Sequence, residues 1–196
     1  MNMHDTDYAP DAFEVRVSEL LVATSDQCDE LIDDAVPEVL RLLREHLKMD
    51  VVFVSEFVDG QRVFRRVEAA PGARVIEPGM SSPLESSFCQ RVLDGRLPRL
   101  IHDVAALPQA KDLPKPPFPI GAHLSTPIVL NDGRVYGTLC SFSFAPNPQL
   151  AERDLKKLEM SARLTAKKID EERAREAEEA MARWSVEPVK NARHRR

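Results

Sequence analysis

Cysteine is scarce in this chain and poorly placed for structural chemistry. The 196 residues include three, Cys28, Cys89 and Cys140, far apart and in no CxxC pair. That pattern excludes a disulfide framework and a structural zinc site, and it fits reduced thiols. Long apolar runs are missing too. The strongest stretch, MDVVFVSEFV, is broken by Glu56, which rules out a membrane span. The opening MNMHDTDYAPDAFE is acidic and lacks the apolar core of a signal peptide, so a cytoplasmic protein is expected. No glycine-rich phosphate loop and no metal-ligand cluster occurs. Aromatic residues make up only 6% of the chain, yet hydrophobic residues reach 43%, enough for one sizeable core.

Positive charge is short in the body of the chain. The net charge is −5, and residues 1–34 hold ten acids against one base, Arg16. The bases Lys190, Arg193, Arg195 and Arg196 gather in the tail, opposed only by Glu187, so the remainder is more acidic than the total implies. An acidic body is a poor match for a phosphate backbone, and no nucleic-acid partner is expected. The tail reads as a solvated end.

Four stretches of helical spacing and two hairpins are legible. Residues 1–26 read as an acidic arm with a short amphipathic helix over 11–24, carrying Phe13, Val17, Leu20 and Leu21. A second helix over 27–47 spaces Leu31, Ile32, Ala35, Val39, Leu42, Leu43 and Leu47 on one face, and Pro37 within it predicts a kink or a break. VVFVSEF (51–57) and QRVFRRVEAA (61–70) flank Asp59-Gly60, a tight-turn signal. Ser82-Pro83-Leu84-Glu85 matches a capping box and predicts a helix over 84–94 that stops at Gly95. PRLIHDV (98–104) reads as a short strand. Pro108, Pro114, Pro116, Pro117 and Pro119 then exclude regular structure, leaving a long loop of the kind that covers sites. GAHLSTPIVL and GRVYGTLCSFSFA form a second hairpin around Asn131-Asp132-Gly133, and within its second strand Tyr136, Thr138, Cys140 and Phe142 alternate to one face. Asn147 and Pro148 predict the start of a helix running to about 184, with Leu150, Leu155, Leu158, Ala162 and Ile169 on its docking face. Beyond 170 the helix keeps only a narrow seam of Ala174, Ala177, Met181 and Trp184, suited to a helix–helix contact. Hairpins without βαβ repeats imply an α+β fold built on an antiparallel sheet.

The segments SSPLESSFCQRVLDG, LIHDVAALP and IGAHLSTPIVLNDGRVYGTLCSFSFAPNPQL resemble a bacterial GAF domain over residues 27–170. The resemblance implies a GAF/PAS-like architecture. A central antiparallel β-sheet would carry the N- and C-terminal helices on one face and a helix- and loop-covered pocket on the other. It implies a sensory or regulatory module in signal transduction, homodimeric through its terminal helices. Residues 171–184 would form a dimer or signalling extension and 185–196 a flexible basic tail, without an output domain of its own. The partner protein that receives the signal is not named by the sequence.

Resemblance combined with strand alternation nominates pocket residues. Phe53, Ser55, Phe88, Cys89 and Tyr136 would form its walls, and His102, His123, Ser125 and Thr138 would face into it. The ligand class stays open. A bilin is not supported, because bilin-binding relatives attach pigment through a cysteine next to a histidine and Ala122 precedes His123 here. Haem and metal are likewise unsupported. His102-Asp103 is no proton-transfer pair, since adjacent residues of a strand point apart. No enzyme activity is expected; Cys89 and Cys140 read as buried small hydrophobes. Two alternatives remain beside the sensor: a ligand-free interaction module, and a thiol-dependent reductase on the same scaffold.

Overall fold

The computed structural model describes residues 30–185. The acidic arm, the helix expected over 11–24, Cys28 and the basic tail lie outside the described residues.

Helix α1 (Glu30–Leu47) leads directly into strand β1 (Val51–Val58). Val36, Leu40, Leu43 and Leu47 recur at three- and four-residue steps and dock on the sheet. Pro37 neither breaks nor ends the helix, contrary to expectation. Its ring lies on the exposed side, while the docked stripe continues past it to Leu47. Strand β1 turns at Asp59-Gly60, both with positive φ (49° and 72°), into β2 (Gln61–Ala69). Paired positive φ values are what a two-residue hairpin with the natural strand twist requires.

The remaining strands are β3 (Ser81–Pro83), β4 (Leu100–Ile101), β5 (Ala122–Val129) and β6 (Val135–Ser143). They assemble in the order β3-β2-β1-β6-β5-β4, antiparallel at every pairing. The two hairpins thus meet along β1 and β6 at the centre of one sheet. Gly137 makes that meeting close: a Cβ there would stand 1.8 Å from the Ser55 carbonyl oxygen.

Three local expectations are corrected. The capping box at Ser82 is not used, because Ser81–Pro83 pairs with β2 as an edge strand. Leu84–Ser86 forms a single 3-10 turn, and the helix proper, α2 (Phe88–Leu93), is capped by Ser87, whose Oγ accepts from the Gln90 N–H at 3.1 Å. It ends, as expected, before a left-handed Gly95. The strand expected over 98–104 shrinks to two residues, and the proline-rich loop contains one 3-10 turn, Ala110–Asp112. The last helix, α3 (Glu152–Ser185), starts later than Asn147 predicted. Asn147 Oδ1 instead accepts from Gln149 N–H and Nδ2 donates to the Leu47 carbonyl, tying the approach to α3 to the end of α1. The start of α3 is fixed by Asp154, which accepts from the Ala151 N–H at 2.9 Å.

Helices α1 and α3 share one face of the sheet. Leu40, Leu43, Leu158, Ala162 and Ala166 pack there against Val52, Val54, Leu124, Ile128 and Leu139. The opposite face holds Val51, Phe53, Phe64, Ile76 and Phe142, continued under α2 by Phe88, Val92, Leu97 and Ile101. Beyond Arg173, which still reaches Glu56 and Tyr136 on the sheet, residues 174–184 of α3 are exposed throughout, with Met181 73% and Trp184 89% exposed. No helix among the described residues is long and apolar enough to cross a membrane.

Candidate ligand pocket

The sheet face opposite the terminal helices carries a cavity of about 370 Å³. Its floor is Phe53, Phe64, Phe142 and His123, presented by β1, β2, β6 and β5. One wall is the segment Met80–Pro83 with Ser86, Ser87 and Phe88, and the other is Pro114–Phe118 with Ile120. Prolines hold that second wall extended, and the stacking of Phe118 on Phe142 (centroids 5.4 Å, 12° between planes) pins it to the sheet. The proline-rich loop and the α2 region therefore face each other across one hollow.

Arg62 enters the cavity from β2. Its guanidinium lies 4.7 Å from the Phe64 ring centroid and 5.9 Å from that of Phe53. Nη2 donates to Ser82 Oγ at 2.9 Å and Nη1 to Cys89 Sγ at 3.5 Å, while the buried Nε has no hydrogen-bond partner. His123 is 2% exposed, packs 5.3 Å from the Phe88 ring, and has no partner at Nδ1. Burial, reinforced by the Arg62 charge, pushes its pKa down to about 3, so the imidazole is neutral.

Beside the floor, further along the same face of β1, β5 and β6, lies a packed polar cluster. Ser55 Oγ and Thr138 Oγ1 are 2.9 Å apart, Cys140 Sγ stands 3.2 Å from Thr138 Oγ1, and Ser125 Oγ lies 3.0 Å from Cys140 Sγ. Cys89 Sγ approaches Cys140 Sγ at 3.3 Å. The two thiols differ in character. The hydrogen bond with Cys140 and the Arg62 charge lower Cys89, whereas burial and the neighbouring sulfur raise Cys140. Both thiols are fully buried. In a Cys28→Ser background they are expected to react with a thiol reagent at least about 100-fold slower in the native protein than in denaturant, because labelling must await opening. Immediate native labelling of both would refute their burial.

The nominated residues thus separate. Phe53, Phe88 and His123 line the cavity. Ser55, Cys89, Ser125 and Thr138 share its side of the sheet but lie beside the cavity, bonded to one another or to Cys140. His102 is elsewhere: its Nε2 meets the Leu150 carbonyl at 2.8 Å. Tyr136 is on the opposite face, packed with the helix-side core under the Arg173 guanidinium, 5.3 Å from its ring centroid. The register shift between Ile128 and Val129 interrupts alternation and turns Tyr136 away. Arg62, Phe64, Lys115 and the serines of 81–87 are lining residues that strand alternation alone did not nominate. A cation and an aromatic two residues apart on β2 were the available signal.

A second, more polar hollow of about 280 Å³ lies between the ends of α1 and α3. Lys157 Nζ contacts His46 Nε2 there at 2.9 Å and Asp154 lies 3.7 Å from the same atom, so these groups serve the helix junction. Among the described residues, no three His, Cys, Asp or Glu side chains gather as metal ligands.

A sequence profile described as GAF domain matches residues 29–170, most of the chain. The chain belongs to the GAF domain family. Solved structures share its fold at low identity. The GAF domain of an Acinetobacter phosphoenolpyruvate-protein phosphotransferase aligns with a TM-score of 0.63 and 12% identity, over 84% of this chain and 97% of that one. The free methionine-R-sulfoxide reductase of Neisseria meningitidis, solved with its substrate, gives 0.61 and 18%, over 88% and 98%. The phycoerythrobilin-bound GAF domain of a cyanobacterial phytochrome gives 0.60 and 16%, over 82% and 96%. At these identities the likeness is one of fold. A search of curated proteins finds no match. In this GAF domain the cavity opens on the sheet face away from α1 and α3.

Proposed function

We propose that this GAF domain is a small-molecule sensing or regulatory module rather than an enzyme. What carries the reading is the 370 Å³ cavity, roofed by two loop walls and floored by the sheet, in which mostly apolar surface surrounds a few polar groups. A ligand held there presses on β1 and β6, whose other faces carry Val52, Val54 and Leu139 against the helices. Occupancy is thereby coupled to the packing of α1 and α3. The thiols support binding over turnover, since Cys89 and Cys140 are fully buried and outside the lining. Native mass spectrometry of the full chain, purified under mild conditions, tests the reading. A retained small molecule, or a metabolite from a broad panel that raises the melting temperature by several degrees, is the expected result. No bound or bindable molecule would sink it.

A second reading follows from the far end of α3, where Met181 and Trp184 stand largely exposed. Large apolar side chains at such exposure on a projecting helix favour a homodimer contact. Removal of residues 170–196 is then expected to convert a dimer to a monomer by light scattering; an unchanged mass would exclude this seam.

A further inference from the structure

The full charges lining the cavity are of one sign. GAF domain though it is, the chain as a whole is acidic, with a net charge of −5, yet its pocket carries Arg62 and Lys115 and, among the described residues, no Asp or Glu. A pocket of the opposite sign to its protein concentrates anions. Arg62 is prepared for one. A guanidinium has five N–H donors, and two are used here, on Ser82 and Cys89. The buried Nε–H has no partner, and stacking on Phe64 fixes the plane of the group without satisfying any donor. An unmet buried donor costs free energy that an incoming acceptor recovers. His123 adds a second independent sign. It lines the cavity, is almost wholly buried, stays neutral, and leaves Nδ1 without a partner.

We infer that the pocket binds an organic monocarboxylate with an aromatic or branched apolar body, its carboxylate on Arg62 and within reach of His123. This rests on the small-molecule reading above and names the ligand class of that site. A carboxylate suits one planar guanidinium, which can meet it with two parallel N–H donors. The neutral imidazole contributes one more bond without adding charge. The surrounding Phe53, Phe64, Ile76, Phe118 and Phe142 demand that the rest of the molecule be apolar. A phosphate monoester fits less well. Its second charge would face only Lys115, which stands exposed on the proline-rich wall.

Calorimetric titration of the full chain with matched pairs decides the matter: phenylacetate against phenylacetamide, indole-3-acetate against indole-3-acetamide, and 2-naphthylacetate against its amide. Each acid is expected to bind at least about ten-fold tighter than its amide, as a charge-assisted pair outbids a neutral one. Arg62→Gln is expected to reduce the best acid to the level of its amide while the amide still binds, which separates lost recognition from lost fold. Lys115→Gln is expected to weaken the acid by less than about three-fold, the exposed cation being screened. Amides binding as tightly as acids, an acid preference surviving Arg62→Gln, or phenyl phosphate outbinding phenylacetate would overturn the ligand class. So would silence from every pair. The broader reading fails separately, on the mass spectrum of the purified protein, where a neutral or cationic guest would preserve sensing and refute the carboxylate.

Discussion

Gly137→Ala is expected to lower stability by about 3–4 kcal/mol, a large share of what a domain of this size possesses. The added Cβ would lie 1.8 Å from the Ser55 carbonyl oxygen, 2.7 Å from its carbonyl carbon and 2.9 Å from Glu56 Cα. All three are backbone atoms of the neighbouring strand, so no side chain can rotate aside. Strands β1 and β6 would have to part by more than an ångström at the Glu56–Gly137 pairing, in the middle of a six-stranded sheet. That separation also strains the Ser55–Thr138 hydrogen bond one position away. Gly133→Ala is the control: open space surrounds it, and its φ of +82° costs an L-residue only about 1–2 kcal/mol. Urea denaturation of the two variants should therefore give clearly different midpoints, with Gly137→Ala much the lower or insoluble. Equal midpoints would mean that β1 and β6 do not approach as described.

The same close approach explains what could and could not be read in advance. The hairpins were legible because a turn announces itself locally: Asp59-Gly60 and Asp132-Gly133 sit between alternating strands, and Asp59, Gly60 and Gly133 adopt positive φ. The docking faces of α1 and α3 were legible for a similar reason, a stripe recurring at helical steps. Tyr136 was not, because the bulge that turns it over is a property of two strands in register, and one strand cannot display it. The start of α2 was misplaced through a competition between levels of structure. Ser82…Glu85 and Ser87…Gln90 both satisfy the capping pattern, and edge pairing with Arg62 and Val63 takes the first into a strand. Arg62 escaped notice because an arginine on an edge-side hairpin strand ordinarily faces water. Only β3, the short strand beyond it, and the loop walls convert that side into the lining of a cavity.

His123 makes stability depend on acidity, with a sign that follows from its burial. At pH 7 the imidazole is neutral in both folded and unfolded chains. The unfolded residue takes a proton near its ordinary pKa of 6.5, whereas the folded one is held down to about 3 by burial and then by Arg62. Between those values the unfolded state binds one proton more, so stability falls as pH falls, by about 1.4 kcal/mol per pH unit. From pH 7 to 5 this single group is worth about 2 kcal/mol. The charged group beside it is Arg62, while Asp94 and Asp132, lowered by their arginine partners, lie at the surface away from the cavity. His123→Gln removes the titration and keeps a polar side chain of similar bulk. Measured by urea denaturation at pH 7 and pH 5, the parent is expected to lose about 2 kcal/mol more than the variant does, even though the variant starts lower at pH 7. Every other histidine and carboxylate is common to both proteins and cancels in the difference. Parallel losses would show that the imidazole is already reached by water or already charged, and the neutral donor assigned to the pocket would go with it.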